Sequence, residues 1–402
     1  MKKIKVKQKL SNAKPPVIIV AYYILSIFVS VILLSLPQVY KPGVAIPFID
    51  KVFTAVSAVS VTGLTVADIS ETFSTFGIVI LMIIFQFGGI GVMALGTFFW
   101  LLFRRKIGLK ERRLIMADQN QPSLSGVVYL IKDLLKILLL IELIGTIILS
   151  LYFLQFYSWE DAVLHGLFAA VSATTNAGFD ITGSSFIYFA GDYFVQFILI
   201  SLIILGAIGF PVLVEVKEFL FSRKPIENFR FSLFTKLTSI TFFSLLIFGT
   251  VIIFLLEWSH SLNGISWDQA FFYAFFQSVS ARSAGLVTID VSQFSQPTLL
   301  VLSGLMFIGA SPSSVGGGIR TTTFAICILY LYHFAKGSRT IRIFHREIHE
   351  DDIRKSVAVM MFSILLLFIV LVILSVVEDI PLMPLLFEIC SAFGTTGMSL
   401  GI

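Results

Sequence analysis

The sequence predicts an all-α polytopic membrane protein of four pseudo-fourfold M1-P-M2 units. Each unit is a span, a pore half-helix, a filter loop and a second span, and the fourth lacks its last span. Three observations carry this prediction. The 402 residues are 57% hydrophobic and only 13% charged, with 41 phenylalanines, a composition that belongs among lipid-facing helices and not among water-soluble domains. The stretch Phe53 to Leu64, with Gly63 near its end, returns at Phe168 to Phe179, at Val279 to Leu286 and at Phe387 to Met398. Its glycines, Gly63, Gly178, Gly285 and Gly397, lie 115, 107 and 112 residues apart, a regular period of the kind that marks repeated units. Finally, 25 of the 29 Lys and Arg fall on one side of the membrane when the apolar runs are threaded alternately through it.

A span needs about 20 apolar residues at about 1.5 Å rise each. Val17 to Leu36 meets this and is closed by Pro37; Thr75 to Phe103 follows after the first half-helix, Asp50 to Ser60. The order recurs as Val127 to Phe156, Asp161 to Thr174 and Tyr193 to Phe221. It recurs again as Thr235 to Trp258, Asp268 to Ser280 and Thr298 to Lys336. The fourth round has Val357 to Val377 and Pro384 to Ala392, and the chain stops five residues past Gly397. The units are therefore 1–113, 114–229, 230–345 and 346–402. Missing its exit span, the fourth unit departs from the pattern, so a chain of this length is expected to lack one wall of a four-unit pore.

The basic side comprises the N-terminus, the 104–113 loop, the 217–236 region and the 336–355 region, with Lys132 and Lys136. By the positive-inside rule this side is cytoplasmic and the half-helices enter from outside. Non-helical backbone at membrane depth is tolerated only when buried in protein or lining a cavity. A half-helix entering from outside points the negative end of its dipole at the bilayer centre, so four of them favour a cation. Glycine lets the following backbone turn its carbonyls inward, and rings of carbonyls replace the hydration shell of a monovalent ion. The expected selectivity filter is Val61, Thr62 and Gly63; Asn176, Ala177 and Gly178; Ser283, Ala284 and Gly285; and Thr395, Thr396 and Gly397. Their side chains are neutral, which argues against a filter for divalent ions.

Thr298 to Lys336 is 39 residues, roughly 58 Å as one helix and about twice the hydrocarbon thickness. Its break falls at Gly309, Ser311, Pro312, Ser313, Gly316, Gly317 and Gly318, ahead of Arg320. Lying on the cytoplasmic side of the filter, this segment is expected to obstruct the pore. Arg320 at membrane depth is a functional candidate, with snorkelling to the interface as the plainer alternative. Arg282 is expected to brace the loop through several carbonyls, since its fork is planar and rigid.

Other signals are weaker. Phe87-Gly88-Gly89-Ile90-Gly91 and Leu205-Gly206-Ala207-Ile208-Gly209 mark corresponding exit spans, where small residues allow close helix packing more readily than a hinge. His345 and His349 are placed on a solvated cytoplasmic helix; Arg346 and Glu347 spoil a zinc motif. An intramembrane enzyme would need converging acids and histidines, and only Glu142, Glu215 and His165 are available; Glu142 and Glu215 are open either to pairing with a basic neighbour, Lys217 for Glu215, or to touching the ion route. A coupled secondary cation transporter is the alternative function, but it would show two inverted halves. No catalytic residue and no cofactor site is expected, and no nucleotide motif occurs. Cys327 and Cys390 lie in apolar runs, which makes a disulfide framework unsuitable.

The tokens Ser60-Val61-Thr62-Gly63-Leu64, Asn176-Ala177-Gly178-Phe179, Ala281-Arg282-Ser283-Ala284-Gly285, Ser391-Ala392-Phe393-Gly394-Thr395-Thr396-Gly397 and Gly309 to Phe324 resemble those of the Trk/Ktr/HKT potassium-transport superfamily, most closely its KtrB-type membrane subunits. The likeness runs along essentially the whole chain. It implies potassium selectivity where all four positions are glycine, and sodium preference where the first is serine. It implies that 309–323 is an intramembrane gating loop. It further implies a homodimer in the cell membrane seated on a cytoplasmic ring of KtrA/KtrC-like nucleotide-binding subunits. Sodium would act as an activator, and ATP or ADP only through that ring.

Overall fold

In the computed structural model, residues 15–91, 127–221, 229–338 and 340–402 are described, together with Arg112 and Met116. They are mostly helical. The first unit runs α1 (Pro15–Leu34), α2 (Phe48–Ser60) and α3 (Thr75–Ile90). The second runs α4 (Val127–Phe153), α5 (Trp159–Thr174), α6 (Tyr193–Ala207) and α7 (Phe210–Phe221). The third has α8 (Leu233–Glu257), α9 (Trp267–Ser280), α10 (Gln296–Ile308) and α11 (Thr321–Ala335), and the fourth α12 (Glu350–Val377) and α13 (Leu382–Gly394). Among the described residues, four helices are long and apolar enough to cross a membrane: α1 from Val17, α4 from Val128, α8 and α12. This is a membrane protein. The rest of the first exit span, as far as Phe103, and all of the 104–113 loop but Arg112 lie outside the described residues.

The half-helices form where the pattern placed them because each has a start signal and an apolar face. Pro47 and Pro381 precede α2 and α13, and Ser158 caps α5 by accepting from the Asp161 amide at 3.3 Å. Glycines let exit helices press on them. A side-chain carbon on Gly88 would lie 2.8 Å from Val61 Cγ2, and one on Gly206 would lie 2.7 Å from Asn176 Nδ2. The aromatic core follows the same seam: Phe85 of α3 meets Phe168 edge-on at 5.5 Å and stacks on Phe179 at 5.7 Å, fixing the residue after Gly178.

Two expectations need correcting. Tyr193 to Phe221 is not one span: α6 and α7 meet at 104°. Close packing at Gly206 is real, but the helix also breaks, at Gly209 with φ +102°. The first exit helix ends in the same way on Gly91 (φ +87°) and the third on Gly309 (φ +70°), so each exit helix stops on a glycine in the left-handed half of backbone space.

His345 and His349 do not share a helix. Arg342–Ile343 and Arg346–Glu347 pair as a two-stranded antiparallel hairpin, β1 and β2. Phe344 and His345, with φ +48° and +63°, form the twisted turn that matches strand twist, while His349 immediately precedes α12. Of the roles left open for Glu215, the structure shows a backbone contact: Glu215 accepts from the Ser232 amide at 3.0 Å, while Lys217 pairs with Asp133 at 3.2 Å.

Candidate functional site

α2, α5, α9 and α13 end at Ser60, Thr174, Ser280 and Gly394, immediately before the four glycine segments. In the three full-length copies the chain turns out of the helix through a left-handed residue: Val61 (φ +56°), Asn176 (φ +50°) and Thr395 (φ +47°). The next amides, Thr62, Ala177 and Thr396, then reach back to the carbonyls of Ser57, Ser172 and Ser391 at 2.8, 2.8 and 2.9 Å, the closing bond of a Schellman turn. The third copy is one residue shorter, and Gly285 itself donates to Ser280 at 3.3 Å.

The glycines come together. Gly63, Gly178, Gly285 and Gly397 have φ of +82°, +71°, +69° and +93°, and each backs onto the next segment. A side-chain carbon on Gly63 would fall 2.6 Å from the Ala177 carbonyl oxygen, and one on Gly178 2.9 Å from that of Ala284. On Gly285 it would strike the Thr396 oxygen, and on Gly397 the Thr62 oxygen. The order closes on itself, first to second to third to fourth to first. The four glycine segments thus form a closed circle, with no room for a side chain between one glycine and the carbonyl of the next segment. Around it Asn176 Oδ1, Ser283 Oγ, Thr395 Oγ1 and Thr396 Oγ1 are buried without a hydrogen-bond partner among the described residues.

Serines that the sequence reading passed over hold the segments in place. Ser172 Oγ donates to the Phe179 carbonyl at 2.7 Å, and Ser280 Oγ to that of Leu286 at 2.5 Å. Their signal was present as the serine opening the Ser-Ala pair in every copy.

Above the ring lies a vestibule of about 310 Å³ lined by the four glycines and by Asp68, Asp180 and Asp290. These carboxylates were also missed. They follow Gly63, Gly178 and Gly285 by 5, 2 and 5 residues, a spacing too irregular to register as a repeat. Asp180 is fixed by the amides of Thr182, Gly183 and Ser185 at 2.9, 3.1 and 2.8 Å. At the outer end of α9, Asp268 accepts from the Tyr193 hydroxyl at 2.6 Å, which holds this carboxyl below its usual range.

Below the ring runs the segment joining α10 to α11. Its amides are satisfied by neighbouring units: Ser311 donates to Ala207 at 3.1 Å, Val315 to Gly206 at 3.4 Å, and Gly317 to Gly394 at 3.2 Å. That pairing is what makes irregular backbone tolerable at membrane depth. Gly316 sits against Ser283 and Gly317 against Thr395, where an added carbon would lie 2.8 Å from each side chain. Pro312 and Ser313 meet α7: Ser313 accepts from the Phe210 amide at 2.9 Å, and a carbon on Gly209 would lie 2.8 Å from the Pro312 carbonyl. Between the segment and the end of α2 is a cavity of about 130 Å³, lined by Ser60, Val61, Ser314, Gly316 and Arg320. Arg320 turns with φ +77° and donates to the Ser311 carbonyl at 3.3 Å. Arg282, 1% exposed, donates to the carbonyls of Phe242 at 3.1 Å and Gly309 at 2.7 Å, with its guanidinium 4.5 Å from the Phe242 ring centre.

The residues an intramembrane enzyme would need stay apart. Glu142 is held by the Gln86 amide at 2.8 and 2.9 Å, Glu215 by Ser232, and His165 stacks on Tyr157 at 4.5 Å.

The TrkH family model, described as a cation transport protein, matches residues 5–402. The chain belongs to the TrkH cation transport family. It is 57% identical over 401 residues to the Ktr system potassium uptake protein D of Bacillus subtilis, covering 100% of this chain and 89% of that one. It is 34% identical over 394 residues to the Ktr system potassium uptake protein B of the same organism, covering 96% and 86%. The crystal structure of the potassium transporter TrkH from Vibrio parahaemolyticus superimposes with a TM-score of 0.72 at 18% identity, over 94% of this chain and 76% of that one, a likeness of fold. This family member is a transport protein and not an enzyme.

Proposed function

We propose that this chain is the potassium-translocating subunit of a Ktr-type uptake system, conducting K+ through the four glycine segments as a selectivity filter. The closed circle of glycines and carbonyls carries the reading. The backbone oxygens of Thr62, Ala177, Ala284 and Thr396 lie where four half-helix C-termini concentrate negative potential, and such oxygens substitute for a monovalent ion's water. The vestibule carboxylates Asp68, Asp180 and Asp290 raise the local cation concentration at the mouth. The four units surround the axis in pseudo-fourfold order.

The 309–320 segment is the gate in its closed position. It lies across the cytoplasmic side of the ring, and Arg320 adds a fixed positive charge to the cavity it encloses. The relatives named as Ktr system potassium uptake proteins support a cytoplasmic regulatory partner of the nucleotide-binding kind. The same reading makes the chain a homodimer in the cell membrane with its N-terminus cytoplasmic, and sodium an activator of flux.

The test is rubidium uptake by the protein in liposomes. Gly63→Asp and Gly285→Asp are each expected to abolish it without substituting sodium uptake. Unchanged uptake in both variants refutes the filter.

A further inference from the structure

A groove of about 680 Å³ lies between the starts of α8, α11 and α12, well away from the glycine ring. Its two ends differ in chemistry. Leu233, Phe234 and Leu237 of α8, Ile326 of α11 and Val359 of α12 make one end apolar; Glu347, Asp352 and Lys355 make the other charged. The 28 residues of α12 span about 42 Å against a hydrocarbon core of about 30 Å. Its first turns, carrying Glu350 to Lys355, therefore stand in the headgroup layer. Val359 and the exposed Met361 and Phe362 stand among acyl chains. The groove crosses that boundary.

We propose that this groove binds a phospholipid with a zwitterionic, amine-bearing headgroup, of the phosphatidylethanolamine class, with one acyl chain along Leu237, Ile326 and Val359. Charge complementarity selects the headgroup. Lys355 offers a cation for the phosphate, while Asp352 and Glu347 offer anions that accept N–H bonds from the primary amine. Among the described residues neither Lys355 nor Asp352 makes an ion pair, whereas the adjacent Arg354 is already spent on Glu350 at 2.7 Å. Among the described residues, Glu347 keeps a single long ion-pair contact, to Arg342 at 3.7 Å. A purely anionic headgroup would satisfy Lys355 but face two carboxylates. A choline headgroup has no N–H for them.

The rim is built, not loose. The hairpin that carries Glu347 is tied to α8 by Lys236, whose ammonium lies 5.5 Å from the Phe344 ring centre, and to itself by the Ile348 amide, which donates to Ile341 at 3.0 Å. Thr322 and Thr323, which also line the groove, follow directly on the 309–320 segment. A lipid seated here would pack the first turn of α11 against α8 and α12.

The test is native mass spectrometry of the delipidated full chain, offered dioleoyl phosphatidylethanolamine, phosphatidylcholine and phosphatidylglycerol in turn. The ethanolamine lipid should be retained about fivefold more tightly than the other two, the size expected of one exposed charge pair. Asp352→Asn should erase the preference over phosphatidylcholine. Lys355→Gln should weaken all three lipids alike. Ile326→Trp, which fills the apolar end, should release the lipid from a protein whose helical circular dichroism is unchanged. Equal retention of the three lipids, preference for phosphatidylglycerol, or retention unaffected by Ile326→Trp overturns the proposal.

Discussion

Arg282 donates to the carbonyl oxygen of Gly309 at 2.7 Å, joining the residue three before the third filter glycine to the residue on which the third exit helix ends. Its other terminal nitrogen holds Phe242 of α8. One buried side chain thus links the third glycine segment, the end of α10 and the entry helix α8. An ammonium is a point donor and cannot reproduce a planar fork. Arg282→Lys is therefore expected to lose one of the two carbonyl bonds and about 1–3 kcal/mol of stability. It should also loosen the gate, raising rubidium flux while the thermal midpoint falls. A lower midpoint with unaltered flux would separate Arg282 from gating.

The ring of carbonyls makes a sharper demand at Gly285. Alanine there would need a left-handed φ of +69° and would place its methyl on the Thr396 oxygen, combining backbone strain of about 1–2 kcal/mol with a steric clash. Gly285→Ala should lose rubidium uptake almost completely. Alanine at Gly304 meets nothing within 4 Å and should leave uptake intact. Equal behaviour of the two variants would count against the ring.

Much of this was legible in the sequence because both signals were repeated. The half-helices and their glycines stood out through four copies, and the third exit span through its excess length. The 104° break at Gly209 was not legible. Leu205 to Gly209 is as apolar as an unbroken span, and a glycine in a helix more often signals contact than a bend. At Gly206 it does signal contact, three residues before the break. The hairpin at Phe344 and His345 was hidden for a different reason: a bulky Phe is rare at positive φ and the pair lacks the Asn-Gly or Asp-Gly signature of a two-residue hairpin turn, so a helix was the natural reading. Arg282 as a brace was readable from chemistry alone, since a buried guanidinium beside irregular backbone finds carbonyls.

Removal of the loop tests its obstructing role directly. Residues 311–317 fill the space below the ring and touch the second, third and fourth units. Deleting them should raise rubidium flux several-fold in liposomes, with the glycine ring and its selectivity retained. Reduced flux in a protein of normal helical content would assign this segment to support of the filter and not to its closure.

The contact between α7 and the loop can be dissected with a single backbone atom. Phe210 is the first residue of α7, and its amide donates to the Ser313 carbonyl at 2.9 Å. Proline is tolerated at the first position of a helix because that N–H has no intrahelical partner. Phe210→Pro therefore removes the bond to the loop while leaving α7 able to form. The side chain is itself buried, so Phe210→Ala, which keeps the amide, supplies the comparison. Both variants should lose about 3–5 kcal/mol from the missing ring, and the proline variant should open the gate further. Higher rubidium flux in Phe210→Pro than in Phe210→Ala makes the break at Gly209 a latch for the loop. Equal flux in the two reduces the contact to packing and leaves the segment held by its other bonds, among them those to Gly206, Ala207, Gly394 and Arg282.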